Sequence, residues 1–190
     1  KRACQQVGLA AEFCADPDRL RHAERVIFPG VGAAGSAMVS VKERGLDEAL
    51  REVISNGCPV LGICLGMQIS LDHSEENDTS TLGLIEGNVT RFRMDRPDLK
   101  VPHMGWNEVT VRQHHPVLAG IVPGDEFYFV HGYYPTPKDQ SAVLATTNYE
   151  GDFACAIGKA SYVGTQFHPE KSGRVGLRLL SNFAKWDGQC

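Results

Sequence analysis

Apolar positions in the first half of the chain fall into short blocks whose spacing alternates between strand-like and helix-like. Leu9-Ala10-Ala11-Glu12-Phe13 and Arg25-Val26-Ile27-Phe28 are compact runs that predict strands, the second stopped by Pro29-Gly30. Leu46, Ala49, Leu50, Val53 and Ile54 then recur at i, i+3, i+4, i+7 and i+8, the spacing of an amphipathic helix, with Gly57 placed to cap its C-terminus. Pro59-Val60-Leu61-Gly62-Ile63 reads as a buried strand, and Cys64 to Leu71 suits a helix. Such βαβα alternation predicts a parallel sheet covered on both faces.

The second half changes character. Runs of β-branched and aromatic residues at Asn88 to Phe92, Trp106 to Val111, Glu126 to Val130, Ala142 to Thr147 and Ser161 to Phe167 predict strands separated by turns, added antiparallel to the sheet. A last helix is predicted from about Gly173 to Trp186, with Gly176, Leu179, Leu180 and Phe183 on one stripe. No repeat or low-complexity linker interrupts the chain. The prediction is therefore α/β, one domain over residues 1–190, with an open mixed, largely parallel sheet flanked by helices.

Composition narrows the classes of function. Lys+Arg total 19 against 23 Asp+Glu, a net charge of −4, and no basic run is present, which argues against an extended nucleic-acid surface. The longest uncharged stretches, Ser55 to Leu71 and Val26 to Val41, are broken by proline and glycine. They fall short of the ~20 apolar residues that cross a bilayer. Six cysteines (Cys4, Cys14, Cys58, Cys64, Cys155 and Cys190) form no CxxC pair, so neither a zinc cluster nor a dense disulfide framework is expected, and a reducing cytoplasm is the simplest home. The 20 glycines exceed the ~7% average and suggest turns where backbone approaches a ligand closely.

In open α/β sheets ligands bind outside the carboxyl ends of the strands, and three turns there carry candidate chemistry. Gly62-Ile63-Cys64-Leu65-Gly66 is a cysteine form of the nucleophile elbow, in which flanking glycines relieve crowding at a tight strand-to-helix turn. A helix beginning at the sulfur favours thiolate. In Gln166-Phe167-His168-Pro169-Glu170, Pro169 keeps His168 extended, so His168 and Glu170 project to one side as a base with its orienter. Pro29-Gly30-Val31-Gly32 offers backbone N–H groups for an oxyanion. Each alone has a plainer explanation: a small core cysteine, a surface His-Pro turn with a helix-opening glutamate, and an ordinary loop. Their joint occurrence at strand ends points to cysteine-based acyl transfer.

Gly-x-Cys-x-Gly followed far downstream by His-Pro-Glu resembles the class I (triad) glutamine amidotransferases, flavodoxin-like α/β proteins. Within them the likeness is to glutaminase subunits of histidine biosynthesis that pass ammonia to a separate cyclase subunit, a (βα)8 barrel, in a heterodimer. Its marks are Pro29 to Gly32, Leu84 to Val89, Pro102 to Asn107, Tyr128 to His131 and Gln166 to Ser172. The resemblance implies that Cys64 attacks the side-chain amide of L-glutamine, that His168 moves the proton and that Glu170 holds His168. It implies oxyanion donors at Val31, after a peptide reorientation near Gly30, and at Leu65. Gln68 and Glu76 would hold the amino-acid end of glutamine, with backbone near Gly132 and Tyr133; Gly132 stands where the family usually has serine or threonine. Pro102, His103, Met104, Trp106, Asn107 and Lys171 would face the partner. No metal or organic cofactor is implied. The family begins with a strand and a Gly-rich turn ahead of the helix into which Lys1-Arg2-Ala3-Cys4 falls, so the first strand is expected to be missing from this sequence. Two alternatives stay open: an amidotransferase subunit for another acceptor, and a catalytically inactive partner-binding module.

Overall fold

The computed structural model describes residues 1–96 and 98–189, so Cys190 lies outside the described residues. Among the described residues twelve strands run in chain order: β1 (Val26–Gly30), β2 (Val60–Cys64), β3 (His73–Ser74), β4 (Thr79–Ser80), β5 (Gly87–Arg91), β6 (His103–Glu108), β7 (Thr110–Val111), β8 (Glu126–His131), β9 (Tyr133–Pro137), β10 (Val143–Asn148), β11 (Asp152–Lys159) and β12 (Tyr162–Thr165). The helices are α1 (Arg2–Gln6), α2 (Pro17–Arg21), α3 (Ala34–Glu43), α4 (Leu46–Ser55), α5 (Leu65–Gln68) and α6 (Gly173–Lys185).

The central sheet has the order β1-β2-β12-β11-β10-β7. β1, β2 and β12 are mutually parallel, and β11, β10 and β7 follow antiparallel. β2 is buried along its whole length because both faces are covered. Val60 and Tyr162 pack on one face with Met38, Leu50 and Met67, while Leu61, Ile63 and Val163 pack on the other with Leu179, Leu180 and Phe183 of α6. The stripe foreseen for α6 is buried at all four positions. α4 matches its prediction too, and Gly57 (φ 81°) ends it: Gly57 N–H bonds Ile54 O and Cys58 N–H bonds Val53 O, the paired bonds of a Schellman motif.

The single mixed sheet foreseen from the sequence is instead three. Strands β4-β3-β5-β9 form a second sheet and β6-β8 a two-stranded ribbon. The predicted strand at residues 106–111 crosses two of them, since buried Val109 separates β6 from β7. Residues 9–13 form no strand, and Phe13 is 85% exposed. A strand needs a ladder partner, and among the described residues none lies beside this segment. β1 runs on through Pro29 rather than stopping before it, which an edge strand tolerates because proline removes a donor that no ladder needs. The helix foreseen from Cys64 to Leu71 is only Leu65–Gln68. α3, β9 and β11 were not foreseen. α3 buries just Ala34, Met38 and Val41, a thin stripe hidden among small residues, whereas β11 is a continuous buried run from Phe153 to Ile157. Among the described residues no helix is long and apolar enough to cross a membrane, and no group of three or more His, Cys, Asp or Glu could hold a metal ion.

Candidate active site

β2 delivers Cys64 at its carboxyl end and α5 begins at the next residue. The turn is so tight that Cys64 adopts φ 54° and ψ −111°, a conformation that costs a non-glycine residue of order 1–3 kcal/mol. The flanking glycines are required sterically: a Cβ on Gly66 would land on the Phe28 carbonyl oxygen, and one on Gly62 on the Tyr162 hydroxyl. Parallel register sets Gly30 opposite Cys64, which brings the Gly30-Val31 backbone alongside the sulfur.

His168 follows β12 in extended conformation (φ −100°, ψ 96°), its N–H bonded to Tyr128 O at 2.9 Å and its carbonyl accepting from Ser172 Oγ at 2.6 Å. Its Nδ1 lies 2.8 Å from Glu170 Oε1, while Nε2 is buried with no hydrogen-bond partner among the described residues. Burial pulls the His168 pKa down, but Cys64 and Glu170 more than offset it and hold the imidazolium up at about 9. Burial likewise works against the Glu170 carboxylate, and the bond to His168 nevertheless keeps its pKa below the ordinary value.

A cavity of about 360 Å³ opens at this point, and its lining includes Val31, Cys64, Leu65, Gln68, Glu76, Gly132, Tyr133 and His168. The structure thus gathers residues far apart in sequence. Gly30 and Glu170 stand just behind the lining, one beside Cys64 in the ladder and the other on His168. Gln68 Nε2 donates to Tyr133 O at 2.9 Å and to Gln166 Oε1 at 3.1 Å. Glu76 accepts at Oε2 from Ala34 N–H at 2.7 Å, so it caps α3 directly after the Gly30-Val31-Gly32 turn. The turn that presents Glu76 holds Asn77 and Asp78 at positive φ, 58° and 47°.

Among the residues expected to face a partner, Met104 is 62% and Trp106 53% exposed, and Pro102 and Lys171 are also exposed. His103 corrects the expectation. It is 3% exposed and points inward, because β6 alternates and its parity sends 103, 105 and 107 toward the core side. Asn107 is half-buried, with its amide donating to Asn148 O at 2.8 Å. Two further site residues had not been singled out. Gln166, fully buried, places Nε2 3.7 Å from Cys64 Sγ. His131 lines the cavity. The only sequence signal was their place beside the His-Pro-Glu segment and the Tyr128 to His131 run.

A strained cysteine elbow and a carboxylate-held histidine at the ends of parallel strands are the arrangement that cysteine-based acyl transfer needs. The chain belongs to the class I glutamine amidotransferase family, whose model matches residues 11–186. It is 48% identical to the imidazole glycerol phosphate synthase subunit HisH of Nitratidesulfovibrio vulgaris (strain Hildenborough), covering 98% of this chain and 89% of that one. To the HisH subunit of Chromobacterium violaceum it is 46% identical, over 91% of this chain and 83% of the relative. Among solved structures it is similar in fold to a glutamine amidotransferase at TM-score 0.71 and 19% identity (98% and 92% covered). It is also similar to the glutaminase domain of Trypanosoma brucei CTPS with bound acivicin, at TM-score 0.66 and 18% identity (100% and 87% covered).

Proposed function

We propose that the chain is the glutaminase subunit of an imidazole glycerol phosphate synthase, a single amidotransferase domain that hydrolyses L-glutamine and passes ammonia to a cyclase subunit in histidine biosynthesis, in the cytoplasm. The observation that carries this reading is geometric: Cys64 and His168 line one cavity of about 360 Å³, and Glu170 Oε1 sits 2.8 Å from His168 Nδ1. Such an arrangement supplies a nucleophile beside a group that can give and take a proton.

Cys64 sulfur attacks the side-chain amide carbon of glutamine, forming a C–S bond. The oxyanion is held by the N–H groups of Leu65 and Val31, the latter after the peptide near Gly30 turns inward. His168 gives its proton to the departing nitrogen, the C–N bond breaks and ammonia leaves. Water then attacks the thioester with neutral His168 taking its proton; the C–S bond breaks, and glutamate is released with Cys64 and His168 returned to their starting protonation. Glu76 offers its remaining carboxylate oxygen to the substrate ammonium, while Gln68 and the backbone of Gly132 and Tyr133 shape the carboxylate end. Met104 and Trp106, with Pro102 and Lys171, would meet the cyclase, a (βα)8 barrel. In the assembled synthase, Cys64→Ala is expected to remove glutamine hydrolysis altogether; ammonia release at the wild-type rate would end this reading.

A further inference from the structure

At the wall of the cavity His131, which lines it, faces a second buried histidine across the β6-β8 ribbon, the two paired in register as His103 and His131. Every polar atom of the pair is engaged, and the partners fix where each proton sits. His131 Nδ1 lies 2.8 Å from Tyr133 O, which can only accept, so Nδ1 carries the hydrogen and Nε2 must accept. His103 Nδ1, 3.1 Å from that Nε2, is therefore the donor. Its own Nε2 then accepts from Asn107 Nδ2 at 3.3 Å. Asn107 cannot be turned round, because its Oδ1 accepts from Glu108 N–H at 2.9 Å and its Nδ2 also donates to Asn148 O. The hydrogen bonds thus run in one direction, from Asn107 through both imidazoles to the Tyr133 carbonyl.

That carbonyl also accepts from Gln68 Nε2, and Gln68 in turn bonds Gln166, which reaches Cys64 Sγ. The opposite face of β6 carries Met104 and Trp106. We propose that His103 and His131 are positioning residues that carry hydrogen-bond direction from the partner-facing strand to the Tyr133 carbonyl, and so hold Gln68 and the end of the cavity that takes the amino acid. The inference rests on the glutaminase reading and names a regulation of that same site. Two features keep the relay intact. Burial holds both rings neutral, with pKa values lowered to about 4 for His103 and about 3 for His131. His103 is also clamped between the near-parallel rings of Phe129 (4.9 Å, 25°) and Tyr149 (4.1 Å, 24°). A displacement of β6 by a docked partner therefore moves the donor at one end of a chain that terminates at the glutamine cavity.

His103→Phe keeps the aromatic stack and deletes both nitrogens. In the complex with the cyclase subunit it should raise KM for glutamine about fivefold, the worth of one ordinary hydrogen bond, with kcat within about twofold. Asn107→Asp keeps the shape but replaces the donor with an acceptor, so His103 must carry its proton on Nε2 and the same rise in KM should follow. Unchanged KM in both variants overturns the proposal. A readout independent of any variant is ¹⁵N resonance of the wild-type imidazoles at neutral pH: both rings should be neutral with the proton on Nδ1, and a proton on Nε2 of either overturns it. Failure of the glutaminase reading would look different, as a wild-type complex that releases no ammonia while the imidazole pattern stands.

Discussion

At His168 burial and charge act in opposite directions, and charge prevails. A pKa of about 9 means that the imidazolium persists through neutral pH and is lost on the alkaline side. Glutamine hydrolysis is therefore expected to fall as pH rises through about 9, since the departing nitrogen then lacks its proton donor. Glu170→Gln removes one of the two groups that raise the value, so the alkaline limb of kcat/KM should move to lower pH; an unmoved limb would show that Glu170 does not govern His168. Cys64, His168 and Glu170 were legible in the sequence because each sits in a short local pattern, although His168 and Glu170 meet across a 3-10 turn at Pro169–Lys171 rather than along the extended segment expected. Gln166 and His131 were not, because their roles arise from contacts with residues far along the chain, Cys64 in one case and the β6 strand in the other.

The elements show how a few positions discipline the site. Between β1 and α5 only a hydrogen fits at residue 66, since the Phe28 carbonyl oxygen occupies the place of a Cβ. Gly66→Ala should lower stability by about 2 kcal/mol or more and displace the elbow, read as a fall in the denaturant midpoint together with loss of labelling of Cys64 by a glutamine-like electrophile. Wild-type labelling in that variant would mean the elbow tolerates a methyl group. α3 is held through Glu76, so the carboxylate proposed to meet the substrate ammonium also anchors the helix that follows the oxyanion turn. β6 illustrates the limit of pattern reading: the strand expected at Trp106 to Val111 starts at His103 instead, and which parity faces inward depends on the ribbon partner β8 and on Tyr149 and Phe153.

For the molecule as a whole, the histidines set opposite slopes of stability with pH. His103, His115 and His131 are held by burial at about 4, 4 and 3, below the ordinary 6.5. The unfolded chain binds their protons first, so stability is complete above 6.5 and is lost as pH falls toward 4. His168, raised to about 9, contributes fully below 6.5 and less as pH climbs through 9. Thermal unfolding should accordingly peak near neutral pH, and a Tm at about pH 5 equal to that at about pH 7 would contradict the burial of these rings. On the outer face, Trp106→Ala should weaken association with the cyclase by about 2 kcal/mol, more than it lowers the stability of the free chain, because about half of the ring is exposed there; calorimetric titration measures the first and thermal unfolding the second. By itself the sequence determined the α/β class and the α4 and α6 helices and singled out Cys64, His168 and Glu170 as candidates, because periodicity, caps and short motifs act over a few residues and need no distant partner. Only the tertiary structure decided that the strands divide into three sheets, that His103 faces inward and that Gln68, Glu76 and Gly132 converge on Cys64, because strand pairing and burial are set by surfaces brought together from opposite ends of the chain.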